Sequence, residues 1–239
     1  MKRIKIVLIL ILIVLLFTAF KDDIMVFNHK TEQNTELYLL ASIPEKDTFL
    51  YAIPPTKEGM NYTNMTIKIG ENEKTFNWKD IGLPIYIKYV DSYKEGVLKE
   101  DLYIIFTTAS GTDIAINEVH IINPETMDEY EVDNPVSVIN DTITMEFSSK
   151  EAMIIIDDII YLIPVTSNPK FRYTKPAVGD TIKFGLENKP LLSTYDRLTA
   201  DVGIKISPSV GIGLFKVYYT FKNNRYKITN IEYLKSSYY

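Results

Sequence analysis

The sequence FKVYYTFKNNRYKI, residues 215–228, predicts a β-hairpin. Large apolar side chains occupy every second position over Phe215–Phe221, which is the pattern of a strand with one buried face. Asn223-Asn224 follows, and asparagine tolerates the positive φ that a tight two-residue hairpin turn requires. Apolar side chains then return at Tyr226 and Ile228. The pattern therefore predicts two antiparallel strands joined by a primed turn.

Most of the remaining chain has the same character, because its apolar segments are short, rich in β-branched or aromatic residues, and bounded by turn residues. The predicted strands are Glu36–Ile43, Thr48–Ile53, Asn64–Ile69, Glu73–Trp78, Ile85–Val90, Leu102–Thr107, Ile114–Asn123, Thr142–Phe147, Met153–Ile156, Ile159–Ile163, Thr181–Leu186, Leu191–Ile206, Gly213–Phe221 and Tyr226–Tyr233. We expect an all-β fold of mostly antiparallel sheets, arranged as a partial propeller or a sandwich, with one N-terminal hydrophobic helix.

Two of these strands, Met153–Ile156 and Ile159–Ile163, are nearly continuous isoleucine and flank Asp157-Asp158. A continuous apolar run predicts strands buried on both faces, and the aspartates predict a hairpin turn. From about Asp180 onwards the pattern predicts an antiparallel meander.

Few segments favour helix or loop. Asp133-Asn134-Pro135 predicts one short helical turn that ends near Ile139, with proline at the first helical position. Loops are predicted from Pro54 to Asn61, from Asp91 to Glu100 and from Thr166 to Asp180.

The N-terminus carries an export segment. Lys2, Arg3 and Lys5 precede an unbroken apolar run over Ile6–Phe20, and Lys21 follows. As a helix this run would span roughly 22 Å, which suits a signal peptide better than a full membrane span. The usual small-x-small cleavage site is missing, however, so a cleaved signal peptide and a retained membrane anchor both remain open.

The predicted organisation follows from this segment. Residues 1–23 form the signal peptide or anchor, and residues 24–239 form an extracytoplasmic β-rich domain with a possible internal boundary near residues 166–180. The basic residues before the run place the body on the outer side of the cell membrane, or in the medium if the segment is cleaved.

Composition limits the partners. Without Lys2, Arg3 and Lys5, the chain has 23 basic and 31 acidic residues, a net charge of −8. Nucleic acid and anionic lipid need a basic surface, so neither is expected as a ligand. Cysteine is absent, which excludes disulfides, thiolate nucleophiles and cysteine-bound zinc.

Several short motifs occur in a recognisable order: Phe76-Asn77-Trp78, Pro84–Asp91, Asp101–Phe106, Gly111-Thr112, Glu118–Ile121, Ile204–Pro208, Ile212-Gly213 and Val217–Phe221. This order resembles a group of exported proteins of Gram-positive, clostridium-like bacteria that are related to the FG-GAP or VCBS propeller-like proteins. The resemblance covers roughly residues 35 to 235.

Many members of that group carry an Asp- and Gly-rich calcium loop. Here residues 27–36 contain no aspartate or glycine, and residues 91–96 keep only Asp91 while Tyr93 and Lys94 stand where further oxygen ligands belong. Calcium needs six to eight oxygen ligands. The resemblance therefore does not imply calcium binding for this chain, and we expect neither a metal nor a cofactor.

No catalytic set is evident either. The two histidines, His29 and His120, do not form a zinc motif, and His120 is expected to project from a sheet face. Ser110-Gly111-Thr112 and Gly211-Ile212-Gly213 fit a turn and a strand entry or bulge. The carboxylates considered for a glycosidase-like pair are Asp22, Asp23, Asp133, Asp157, Asp158 and Asp196.

Tyrosine is the one residue class that suggests recognition, since it combines apolar area with a hydrogen-bonding tip. The relevant residues are Tyr86, Tyr89, Tyr93, Tyr218, Tyr219, Tyr226, Tyr233, Tyr238 and Tyr239. Cross-strand pairing on a half-exposed sheet is the favoured explanation for them. We expect a module without enzyme activity that binds an envelope protein or cell-wall glycan and reaches the membrane through its N-terminal segment. A secreted hydrolase with a carboxylate pair and a calcium-stabilised module are the alternatives.

Overall fold

The computed structural model describes residues 28–30, 36–55, 62–78, 86–94, 96–112, 114–148, 150–165, 174–188, 196–207 and 209–235. The predicted N-terminal helix and the segment 1–23 lie outside these ranges. In the part of the chain described here, no helix is long and apolar enough to cross a membrane.

Strands dominate these ranges. In chain order they are β1 (Asn28–Lys30), β2 (Glu36–Ile43), β3 (Thr48–Ile53), β4 (Thr63–Ile69), β5 (Asn72–Phe76), β6 (Tyr86–Lys94), β7 (Val97–Gly111), β8 (Ile114–Ile122), β9 (Glu129–Val132), β10 (Thr144–Phe147), β11 (Glu151–Ile156), β12 (Ile159–Pro164), β13 (Ala177–Asn188), β14 (Asp196–Ser207), β15 (Val210–Lys222) and β16 (Arg225–Lys235). A 3-10 helix, Pro44–Lys46, joins β2 to β3, and the helix α1, Pro135–Thr142, lies between β9 and β10.

The strands form three sheets. Sheet I has the order β1-β2-β3-β4-β5, and sheet II has the order β10-β11-β12. Sheet III has eight strands in the order β13-β14-β15-β16-β9-β8-β7-β6. Pairing is antiparallel throughout except for two short parallel pairs, β13 with β8 and β16 with β9. The all-β, mostly antiparallel prediction is therefore confirmed. None of the three sheets is the four-stranded blade of a propeller.

Sheet III closes on itself. Its terminal strand β13 returns to β8, so the hydrogen-bonded path β8-β9-β16-β15-β14-β13 ends on the strand where it began. β7 occupies the other edge of β8 along its whole length, and β6 follows β7. The result is a closed ring of strands with a two-stranded extension.

Two hydrophobic cores lie on opposite faces of β7. Tyr103 and Ile105 point into the larger core, which fills the ring and receives sheet II and α1. Leu102, Ile104 and Phe106 point the other way into the smaller core, against sheet I. Because both faces are covered, all five side chains are almost completely buried.

The hairpin predicted from residues 215–228 is present as β15 and β16. Asn223 and Asn224 both have positive φ, 54° and 58°, as a type I′ turn requires. The meander predicted from Asp180 is confirmed as β13 to β16. The predicted helical turn is also present, extended to Thr142, with the Asn134 side chain capping the N–H groups of Val136 and Ser137.

Two predictions are wrong. Residues 91–100 are not a loop, because β6 runs to Lys94 and β7 starts at Val97. The isoleucine hairpin does form around Asp157, but β12 is not buried on both faces, since Ile159, Ile160 and Leu162 are each more than half exposed. Ile163 on the inner face of β12 packs into the larger core, whereas no element of the described chain covers the outer face that carries Ile160 and Leu162.

The predicted strands do not include β9. The possible boundary near residues 166–180 lies partly outside the described ranges, and strands from both sides of it share sheet III.

Candidate functional site

One edge of β8 is shared by two different strands. Its first part pairs with β13, and the register ends at Ile116 opposite Ile182. Its last part pairs with β9, and the register begins at Ile121 opposite Tyr130. Between them, no strand of the described chain pairs with Asn117–His120 on this edge. The ring therefore contains a gap, which we call the open edge.

The backbone direction at the open edge follows from the neighbouring hydrogen bonds. The N–H of Asn123 donates to the carbonyl of Asp128 across the β8–β9 hairpin, 2.9 Å. Hydrogen-bonding direction alternates along a strand, so Ile121, Val119 and Asn117 present their backbone groups on the same side. Ile121 is paired there with Tyr130, and the parallel register of Ile116 with Ile182 assigns the N–H of Asn117 to the carbonyl of Ile182. Both backbone groups of Val119 and the carbonyl of Asn117 are left directed into the gap.

A cleft of about 580 Å³ occupies this gap. Its walls are the open edge of β8, the strand β9 with the start of α1, and two side chains of β13. The lining residues are Ile116, Asn117, Glu118, Val119, His120, Glu129, Tyr130, Glu131, Val132, Asp133, Asn134, Pro135, Ile182 and Phe184.

The cleft has an apolar side and an acidic side because side chains alternate along its strands. Val119 and Tyr130 belong to the larger core, and Val132 and Phe184 pack against it. Glu118, Glu129 and Glu131 occupy the intervening positions, on the other face of the same strands. Carboxylates therefore line one side of the cleft and the ring interior lines the other.

His120 fixes one end of the acidic side. Its Nδ1 lies 2.6 Å from Glu129 Oε1, and the other oxygen of Glu129 accepts a hydrogen bond of 3.1 Å from the indole Nε1 of Trp78. The imidazole stacks on the Trp78 indole with centroids 4.0 Å apart, and Phe76 stacks on the opposite face of Trp78 at 4.3 Å. This column of rings connects sheet I to the wall of the cleft.

The other ring nitrogen of His120, Nε2, is buried and has no hydrogen-bond partner in the described chain. The nearest carboxylate oxygen to it is Glu118 Oε2, at 3.9 Å. The ring thus lies between Glu118 and Glu129.

Arg225 partly neutralises the opposite end. Its guanidinium contacts Glu131 at 3.1 Å and makes a short bond to Asp133. Asp133 also accepts from the backbone N–H of Ile228 at 3.0 Å. Among the described residues, the cleft therefore has four carboxylates and one permanent cation, Arg225, beside it, which gives it a negative field.

A buried ion pair lies behind the wall of the cleft. Lys94 Nζ is 2.5 Å from Asp101 Oδ2, and both side chains are at least 95% buried. The ammonium also lies over the rings of Tyr130 and Phe221, 3.6 and 4.4 Å from their centroids. The Tyr226 hydroxyl donates to Asp101 at 2.8 Å. This cluster holds Tyr130, and with it the apolar side of the cleft.

The histidines, the Ser110-Gly111-Thr112 segment and the Gly211-Ile212-Gly213 segment do not form a common site in the described chain. The side chain of His29 lies outside the described part of the chain, and His120 projects from a sheet face as expected. Ser110 and Gly111 end β7, and Gly111 pairs with Ile114 across the predicted turn. Gly213 lies in β15 beside a register shift, consistent with the predicted bulge.

The predicted carboxylates are also separate. Asp157 and Asp158 form the β11–β12 turn, and Asp196 pairs with Lys88 at 2.8 Å. Only Asp133 lies at the cleft. Asp22 and Asp23 lie outside the described residues. The acidic residues that do converge are Glu118, Glu129 and Glu131, and none of them is among the carboxylates predicted from the sequence. The spacing of two between Glu129 and Glu131 is the signal that could have indicated them.

Of the seven tyrosines considered for recognition that the structure describes, four are buried and Tyr89 is partly buried. Tyr218, Tyr219, Tyr226 and Tyr233 belong to the core, which is a correction of that expectation. Tyr86 and Tyr93 are largely exposed, and Tyr238 and Tyr239 lie outside the described residues. Burial raises the pKa of the Tyr103, Tyr219 and Tyr226 hydroxyls above the ordinary range.

Within the described ranges, no group of three or more histidines or carboxylates is placed to hold a metal ion. Asp91 lies in the middle of β6.

No family model matches this chain, and neither a curated protein nor a solved structure matches it. The resemblance to FG-GAP- or VCBS-related proteins stays a prediction.

Proposed function

We propose that this chain is a non-catalytic binding module of the cell envelope, which holds a partner protein in the cleft between β8, β9 and β13. The observation that carries the proposal is the combination of an open strand edge, an apolar wall and a line of carboxylates in one cleft of about 580 Å³. Clefts of this size with a few convergent polar groups are the usual form of binding sites.

The charge of the cleft selects a cationic partner. Glu118 is more than half exposed and makes no close ion pair with the described residues, among which its nearest partner, His120 Nε2, is 3.9 Å away. A lysine or arginine of a partner would neutralise it at little desolvation cost. Complementary charge raises the association rate and rejects acidic competitors.

A protein fits this cleft better than a glycan does. Sugar-binding platforms present open aromatic faces. Here the cleft tyrosine, Tyr130, is only 9% exposed and its ring is covered by Lys94 and Phe221. Backbone hydrogen-bonding groups and carboxylates are what the cleft offers instead.

The hydrolase alternative has one observation in its favour, since Glu118 and Glu129 flank an open cleft. However, the His120 ring fills the space between them. A glycosidase needs that space for the scissile bond and, in inverting enzymes, for a water molecule. Binding therefore accounts for the arrangement better than catalysis does.

Location is part of the proposal and is supported by the sequence of residues 1–23. The β-rich body lies on the extracytoplasmic side of the cell membrane and is anchored through that segment, or is secreted after cleavage. Mass determination of the mature N-terminus distinguishes the two forms.

Selection of random twelve-residue peptides on the full chain in detergent tests the proposal. Enrichment of lysine and arginine, with binding that is lost in Glu118→Lys and kept in Glu71→Lys, is expected. Glu71 is an exposed acidic residue of the β4–β5 turn and does not line the cleft. The absence of any enriched peptide, or equal binding by both variants, would refute it.

A further inference from the structure

The backbone of β8 suggests how the partner is held, given the binding role proposed above. We infer that the partner enters the cleft as an extended strand, pairs with the open edge of β8 and fills the gap in the ring. Its side chains alternate between apolar and basic, so the ligand class is an extended peptide segment of the type Lys-Val-Lys-Val.

The first argument is the hydrogen bonding of the open edge. Both backbone groups of Val119 and the carbonyl of Asn117 point into the gap, and Val119 is only 9% exposed. Backbone N–H and C=O groups in such surroundings require partners. An extended peptide supplies alternating donors and acceptors at the same repeat, as in other cases of strand addition.

The second argument is the direction of the neighbouring strands. β13 runs parallel to β8 and leaves it after Ile182, while β14 pairs with the other edge of β13 as far as Asn188. The edge of β13 beyond Ile182 is therefore also without a strand in the described chain. A peptide that runs antiparallel to β8 is antiparallel to β13 as well, so it can form two antiparallel ladders.

The third argument is the distribution of side chains on either side of an inserted strand. One face of the peptide meets Val119, Val132 and Phe184, and the other meets Glu118 and Glu131. Because side chains alternate in a strand, a matching peptide has apolar residues on the first face and basic residues on the second. The open edge, Asn117–His120, accommodates about four residues, or roughly 13 Å of strand.

A comparison of three hexapeptides on the full chain in detergent tests the inference. Acetyl-KVKVKV-amide has the required alternation, acetyl-KKKVVV-amide has the same composition without it, and acetyl-EVEVEV-amide has the opposite charge. Titration calorimetry is expected to give an affinity for the first at least tenfold higher than for the second, with no binding of the third.

Backbone pairing is tested separately with two variants of acetyl-KVKVKV-amide, one N-methylated at the backbone nitrogen of every lysine and the other at that of every valine. An inserted strand uses the N–H groups of one set toward β8 and those of the other toward β13, so either variant should bind at least tenfold more weakly. As a protein-side counterpart, Val119→Pro removes an N–H that faces the gap rather than β7, and should weaken binding while the circular dichroism spectrum is kept. If this variant does not fold, the N-methylated probes still decide.

The outcomes separate the two proposals. Equal binding of KVKVKV and KKKVVV, lost in Glu118→Lys, would overturn strand insertion and leave the cationic cleft intact. An affinity that does not change on N-methylation of the peptide would likewise overturn strand insertion and leave the cationic cleft intact. If neither basic peptide binds, both the inserted strand and the proposed function are wrong.

Discussion

Ile116 and Ile121 lie on the same edge of β8 but pair with different strands, β13 and β9. β13 is the terminal strand of sheet III and β9 is an interior strand four positions away, and the ring closes only because both reach this edge. Neither covers Asn117–His120. Ring closure and the open edge therefore have the same structural cause.

The ring column at the cleft is expected to be a major source of stability. Trp78 is 8% exposed and stacks between Phe76 and His120. Trp78→Ala should lower the free energy of unfolding by about 3–5 kcal/mol, as measured by urea denaturation. Val97→Ala, at a position that is 56% exposed, is the control and should change it by less than about 0.5 kcal/mol. Equal effects of the two substitutions would contradict the packing described here.

The buried ion pair predicts a non-additive double-mutant cycle. Lys94→Met leaves Asp101 charged and buried, and Asp101→Leu leaves the ammonium of Lys94, so each should cost about 3–5 kcal/mol. The double variant leaves no isolated charge and should cost clearly less than the sum of the two. Urea unfolding of the four proteins measures the coupling. Strict additivity would mean that the pair does not form.

The buried tyrosines predict alkaline unfolding. Burial together with the hydrogen bond to Glu232 raises the pKa of Tyr218 to about 12, and burial raises the pKa values of Tyr219 and Tyr226 further. Above pH 10 the unfolded chain loses these protons while the folded chain keeps them. The free energy of unfolding is therefore constant below the unfolded pKa and falls by about 1.4 kcal/mol per pH unit for each such tyrosine above it.

Guanidinium denaturation at several pH values between 8 and 11 measures this slope. Tyr226→Phe removes one of the groups and should make the slope shallower. A slope that is the same with and without the Tyr226 hydroxyl would show that its burial does not affect stability at high pH.

The two faces of β12 should respond differently to charge. Ile163 is 1% exposed and Ile160 is 59% exposed on the same strand. Ile163→Lys buries an unpaired ammonium and should cost more than about 3 kcal/mol, whereas Ile160→Lys should cost less than about 1 kcal/mol. Thermal unfolding compares them. A large loss in Ile160→Lys would mean that the outer face is covered in the folded chain.

Local patterns predicted most of the strands because period-two alternation and turn residues are local signals. The Asn223-Asn224 turn and the Asn134 cap are examples in which a side chain dictates its own backbone geometry. The error at residues 91–100 has a different cause. Lys94 and Asp101 look solvated in sequence, yet they neutralise each other inside the core.

The cleft could not be predicted in the same way. β9 has only four residues, and although they alternate between glutamate and an apolar residue, a run this short is a weak strand signal. Its pairing with β16, and that of β13 with β8, join residues far apart in sequence. The isoleucine run of β12 likewise could not reveal which of its faces has a neighbour.

Amide hydrogen exchange of Val119, measured by nuclear magnetic resonance on the full chain, tests the open edge most directly. In the free protein this amide should exchange faster than that of His120, which faces β7, and faster than that of Ile121, which pairs with Tyr130. Saturation with acetyl-KVKVKV-amide should slow its exchange at least tenfold and leave that of Ile121 unchanged. A Val119 amide that is already as protected as that of Ile121 in the free chain, or that does not respond to the peptide, would contradict the account.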